Sequence, residues 1–111
     1  MKKKEEDAMK RLLAGVVLTA VMAAPAMAAG DPAAGKAKSV ICSACHGVDG
    51  IATIPSYPNL KGQNAQYLIS ALKAYQTKAR TGAMAQVMQP MAGMLNDQDI
   101  ANLAAYYSQL K

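Results

Sequence analysis

The chain has 111 residues, with two cysteines, one histidine and neither phenylalanine nor tryptophan, and its formal net charge is +5. From residue 29 onward the balance is seven basic residues against four acidic, dispersed and without a Lys/Arg run, which excludes nucleic acid as a partner. One small domain is all that this length allows, and a domain of that size without bulky aromatics needs a staple from disulfides, metal or cofactor.

The first 28 residues do not read as part of that domain. Met1 to Arg11 is charged, "MKKKEEDAMKR", and Leu12 to Ala24 is an uncharged apolar run, "LLAGVVLTAVMAA". Pro25 follows, then Ala26 and Ala28 at the two small-residue positions of an A-x-A cleavage site. The pattern predicts a secretory signal over residues 1–28, cut after Ala28, with the domain in 29–111. Glu5, Glu6 and Asp7 are unusual in such a leader, and a start at Met9 gives a cleaner one. The other reading is an uncleaved anchor, because Leu12 to Ala29 reaches the lower limit for a spanning helix. Pro25 and its small neighbours favour cleavage, and both readings export the chain.

Asp31-Pro32 reads as an N-cap with proline at the first helical position, opening a helix that runs to about His46. Gly47 to Gly62, "GVDGIATIPSYPNLKG", has no period and reads as a long loop of the kind that is functional or wrapped on something. Asn64 to Ala79 forms a second helix, with Leu68, Leu72, Tyr75 and Ala79 on one stripe. A methionine-rich stretch follows, "AMAQVMQPMAGML". Asn96 caps a third helix with Asp97 and Asp99 in its first turn, burying Ile100, Leu103, Ala104, Tyr107 and Leu110. No segment alternates as a strand does, so the fold class is all-α.

All the sulfhydryl and imidazole chemistry sits in "VICSACHG". A thioredoxin-like dithiol requires a βαβ unit that the pattern lacks. A structural zinc site takes four ligands, and Cys42, Cys45 and His46 supply three. A disulfide suits an exported protein, but it leaves His46 without a role and closes a loop too short to stabilise much. C-x-x-C-H, the attachment motif of c-type haem, uses all three residues. One turn apart on a helix, Cys42 and Cys45 share a face and reach the two vinyl groups of one porphyrin. His46 then supplies the proximal iron ligand. One haem c, covalently attached, is the expected cofactor, and it also supplies the large apolar body that the composition lacks.

With no second histidine, the sixth iron position falls to methionine or a weaker ligand, or stays open. Met84, Met88, Met91 and Met94 lie in the one Met-rich segment, where the ordinary role of methionine is to fill gaps in a core. In "GDPAAGKAKSVICSACHGVDG", "YPNLKGQNAQYLISALKAY" and "VMQPMAGMLNDQDIANLAAYYSQL" the chain resembles class I cytochromes c. The likeness is to the small bacterial periplasmic type, whose domain also occurs doubled in diheme proteins, and it covers Ala29 to Lys111. It implies a cytochrome c fold, three main helices and loops around one haem. It also implies an axial methionine a short fixed distance before the cap of the last helix. Counting back from Asn96 lands on Met88, with Met91 as the substitute and Met84 and Met94 as packing. By the same resemblance the carbonyl of Pro58, in "PNLKG", accepts a hydrogen bond from the histidine nitrogen that does not bind iron, and so fixes the ring. Gly35 matches the small residue where first and last helices cross, flanked by Tyr106 and Tyr107.

His/Met ligation keeps iron six-coordinate in both oxidation states and raises its potential. The expected function is therefore a periplasmic single-electron carrier rather than an enzyme. Its partners would be respiratory complexes or periplasmic oxidoreductases docking transiently, and a membrane only if the leader stays on. Lys36, Lys38, Lys61, Lys73 and Lys78 are candidates for the docking surface. Tyr57, Gln63, Asn64 and Arg80 are candidate donors to the haem propionates. The competing class is a gas sensor or peroxide-reducing enzyme with a labile sixth ligand, and a third is a tethered assembly subunit.

Overall fold

The computed structural model describes residues 2, 3, 29–82 and 84–111. The leader expected over residues 1–28 thus lies almost wholly outside the described residues. From residue 29 onward the described residues are all-helical, with five helices and no strand: α1 (Pro32–Lys38), α2 (Val40–His46), α3 (Ala65–Gln76), α4 (Ala85–Gly93) and α5 (Asp97–Gln109). No helix among them is long and apolar enough to cross a membrane.

α1 opens as its first residues dictate. The Asp31 carboxylate accepts the Ala33 amide at 3.0 Å, and Pro32 stands where no intrahelical N–H is needed. The single helix expected from here to His46 is interrupted at Ser39. The Ser39 amide is shared between the carbonyls of Gly35 (2.8 Å) and Lys36 (3.2 Å), and its hydroxyl donates to Lys36 O at 2.6 Å. Serine bonding back onto the preceding turn bends a helix. The bend leaves α1 on α5 and re-aims α2, which carries Cys42, Cys45 and His46.

α1 crosses α5 at a distance that only glycine permits. A Cβ on Gly35 would fall on the carbonyl of Asn102 and 2.7 Å from the Cβ of Tyr106. One turn earlier, a Cβ on Gly30 would strike Ala101 and lie 2.9 Å from the Cβ of Ala105. The Asp31 amide donates to Asn102 Oδ1 at 2.8 Å, and Lys38 Nζ lies 3.5 Å from Asp99 Oδ2, which closes the crossing with polar contacts.

α5 begins at a full capping box. Asn96 Oδ1 accepts the Asp99 amide at 2.7 Å, and Asp99 Oδ2 accepts the Asn96 amide at 3.1 Å. Its inner face carries Ile100, Leu103, Ala104, Tyr106 and Tyr107, which pack with Leu68 of α3 and Leu95 as the buried core. Full burial of a side chain such as Ile100 or Leu103 contributes about 1.5–3 kcal/mol.

α3 is capped by Asn64, whose side chain accepts the Tyr67 amide at 3.0 Å. It stops at Gln76, three residues before the expected end, because Lys78 takes a left-handed conformation (φ 60°) and the chain turns. Ala79 therefore leaves the stripe and is exposed. The long loop is as aperiodic as expected, and it is closed by Gly50, whose carbonyl accepts the amides of Leu60 (2.7 Å) and Lys61 (3.0 Å). The methionine-rich stretch adds a helix, α4, that the sequence reading did not assign. It keeps Pro90 inside it.

Candidate functional site

One apolar cavity lies between α2, α3, α4, α5 and the long loop. Its wall includes Cys42, Cys45 and His46 from one side of the sequence and Met84, Met88 and Met91 from the other. Leu68, Leu72, Leu103 and Tyr107 supply much of the apolar lining. Arg80 is the one permanently charged side chain in that lining.

Cys42 and Cys45 stand one turn apart on α2, and both thiols are free. Burial pushes the Cys42 thiol up from its ordinary pKa, while Cys45 is exposed. Among the described residues no group of three or more His, Cys, Asp and Glu side chains is arranged to hold a metal ion.

His46 closes α2 with its side chain almost fully buried, at 6% exposure. Gly47 follows with φ 85°, a left-handed turn that ends the helix and starts the loop. The loop then returns Pro58 to the imidazole, with His46 Nδ1 and Pro58 O 2.8 Å apart. A carbonyl only accepts, so Nδ1 carries a proton, and in the neutral ring the lone pair is then on Nε2. The contact that the resemblance implied for Pro58 is therefore present, and it leaves one imidazole nitrogen available as a ligand.

Met88 and Met91 are half-buried and lie i, i+3 on α4, so both reach the wall. Met84 also borders the cavity although it is 43% exposed, and Met94, expected as packing, is instead 60% exposed and off the wall.

Of the expected propionate donors, Tyr57, Gln63 and Arg80 line the cavity. Asn64 does not, because its side chain is spent capping α3. Arg80 is itself placed by Tyr75, whose ring lies 4.8 Å beneath the guanidinium. Lys36, Lys61, Lys73 and Lys78 are exposed, and Lys38, whose side chain is 40% exposed, lies 3.5 Å from Asp99.

Two residues bear on the site, one in its wall and one behind it, that the sequence did not single out for it. Tyr107, read as a core residue, is 2% exposed and lines the cavity, yet among the described residues its hydroxyl has no hydrogen-bond partner. Its phenol is pushed above its ordinary pKa by burial and then by the neighbouring Cys42. Gln76 ties α3 to the end of α4. A polar residue interrupting the apolar side of α3 was the available signal for it.

These residues fit a haem. The donor set offers two thiols on one helical face, one imidazole nitrogen held free by a backbone bond, and thioethers on a separate element. The wall is otherwise apolar, with one cation, and it includes the ring of a tyrosine whose buried hydroxyl has no partner among the described residues.

Comparison with known proteins gives the same answer. Residues 32–111 match the family described as cytochrome c. Cytochrome c-554(548) of Halomonas halodenitrificans is 56% identical over 80 residues, covering 72% of this chain and 96% of that protein. A protein of Thiomonas intermedia described as a thiosulfate dehydrogenase electron acceptor is 39% identical over 105 residues, covering 93% of this chain and 45% of that protein. The crystal structure of reduced recombinant cytochrome c4 from Pseudomonas stutzeri superposes with a TM-score of 0.61 at 38% identity, over 75% of this chain and 47% of that one. The chain thus spans about half the length of the last two proteins. With a family match over most of its length and a cavity whose residues suit the cofactor, the chain belongs to the class I cytochromes c, and Cys42, Cys45 and His46 fit the motif through which that family binds haem c.

Proposed function

We propose that residues 29–111 form a periplasmic monohaem cytochrome that carries single electrons between redox proteins, after export by a leader spanning residues 1–28. The observation that carries this reading is the meeting, in one apolar cavity, of the C-x-x-C-H helix with methionine side chains from α4. Haem c supplies a one-electron couple at its iron. The chain's own part is to hold it. Cys42 and Cys45 would anchor it covalently, His46 Nε2 would ligate its iron, and Met88 would supply the other protein ligand, with Met91 as the alternative.

The bond from His46 Nδ1 to Pro58 keeps the imidazole in one tautomer and orientation, which raises its basicity toward a metal. Apolar side chains exclude water from the cavity, so little solvent has to reorganise when charge changes. Arg80 is the natural partner for a carboxylate at the cavity edge. The name of the Thiomonas relative, an electron acceptor of a dehydrogenase, supports a periplasmic oxidoreductase as donor. Docking would be brief, over a small interface steered by charge.

An open-site sensor or peroxide-reducing enzyme has no support in the relatives named above, and the cavity contains no second histidine to serve as a distal acid–base group. The experiment is an optical spectrum of the reduced, periplasmically matured protein before and after carbon monoxide. A low-spin spectrum indifferent to the gas is expected. Met88→Ala should abolish the low-spin form while leaving haem attached. A prompt response of the wild type to the gas would sink the carrier reading, and loss of the low-spin form in Met91→Ala alone would move the sixth ligand to Met91.

A further inference from the structure

α4 is poorly equipped to hold its own shape. It has nine residues, and its interior Pro90 has no N–H to give to the carbonyl four residues back. Its N-cap position, Met84, makes no side-chain capping bond. The last carbonyls of any helix also lack intrahelical partners, and around that end Ala92 (0% exposed) and Leu95 (7% exposed) are buried while Gly93 and Met94 are exposed. The amides of Met94 (3.3 Å, to Met91 O) and Leu95 (3.1 Å, to Ala92 O) turn back onto that end, and one side chain from another helix adds to them. Gln76, the last residue of α3, donates from Nε2 to Ala92 O at 2.9 Å and to Leu95 O at 2.8 Å. A primary amide has two N–H donors, and both are used. At the middle of α4, Gln89 Nε2 donates to Arg80 O at 3.2 Å, a longer and more exposed contact.

From this we infer that Gln76 is a positioning residue for the sixth iron ligand, latching the C-terminal end of α4 to α3 so that the methionine sulfur stays in the cavity. The inference rests on the reading that a methionine of α4 binds the iron. Met88 and Met91 lie within four residues of the latched Ala92, on a segment that Pro90 weakens, so external bonds set where the sulfurs stand. Releasing the latch frees the segment to swing outward and opens the sixth position to small ligands, although Gln76 touches neither the ligand nor the cavity.

The test is the rate at which cyanide enters the ferric, haem-loaded protein, in wild type and in Q76E, Q76L and Q76K. Q76E keeps the shape and loses the donors, Q76L loses both polarity and donors, and Q76K restores a donor group able to serve two carbonyls. Two lost hydrogen bonds correspond to entry about tenfold faster in Q76E and Q76L, with the resting low-spin spectrum retained and Q76K returned toward wild type. Hydrogen exchange at the Leu95 amide, which bonds Ala92 O at 3.1 Å, should quicken in the same two variants. Unchanged cyanide rates in both Q76E and Q76L overturn the latch. Entry in Q76K as fast as in Q76L also overturns it, because the side chain would then serve only as packing. Met88→Ala and Met91→Ala run in parallel separate the two levels of failure. If neither alters the resting spectrum, the methionine reading falls and the latch falls with it.

Discussion

Gly35 and Gly30 do for the helix crossing what no other residue type can, because the carbonyls of Asn102 and Ala101 stand where their β-carbons would be. Neither glycine has a positive φ, so what holds them is space and not backbone conformation. Gly35→Ala should therefore lose more than alanine's better helix propensity returns. Prising the two helices apart costs about 1–3 kcal/mol, as over-packing of a close contact does. The urea midpoint of the haem-loaded protein should fall with little change in slope. A midpoint at or above wild type would mean that the crossing is looser than the contacts indicate. At the same scale, the motif residues were legible because their chemistry is rare: two thiols and the only imidazole of the chain fall within five positions. The Met88–Met91 choice was not legible and is not resolved by packing, since positions three apart on a helix look the same way.

Among the elements, α5 was the most readable and α4 the least, and the reasons are physical. α5 carries its start signal in its own sequence, Asn96 followed three residues later by Asp99, and a continuous apolar stripe behind it. α4 has a comparable stripe in Met84, Met88, Met91 and Leu95, but Pro90 sits inside it and masks the helical period. Its stability comes from Gln76 and the core, which no local window contains. Ser39 is the opposite case, a residue that looks neutral in a helix and yet breaks it by bonding backward. The readability of α5 implies that its cap matters. Asn96→Ala removes the bond to the Asp99 amide and leaves Asp99 to bond the residue-96 amide alone, with an expected loss of about 1 kcal/mol. Thermal unfolding of the haem-loaded variant measures it. An unchanged melting temperature would mean that tertiary packing of Ile100 and Leu103 alone fixes where the helix begins.

For the whole molecule the decisive fact is what the core lacks. Seven buried side chains form the main cluster, none of them phenylalanine or tryptophan, and α2, α3, α4 and α5 together line a cavity. Helices of seven to thirteen residues are marginal on their own and depend on burying an apolar face. Here much of that face lines the cavity, so folding should depend on haem attachment. It follows that Cys42→Ala and Cys45→Ala, by impairing covalent attachment, should do more than alter a spectrum. The double variant, matured in the periplasm and freed of loosely held haem, should lose most of its far-ultraviolet helical signal and its cooperative thermal transition. Each single variant should retain less haem under denaturing conditions than wild type. A haem-free double variant that stays helical and melts cooperatively would show that Leu68, Leu95 and the α5 stripe suffice as a core. The cavity would then be a preformed pocket. The closeness of α1 to α5 argues the limit of the effect. That crossing lies away from the cavity wall and is held by its own glycines, by Asn102 and by the Lys38–Asp99 pair, so any residual helix in the haem-free chain should be found there and not in α4.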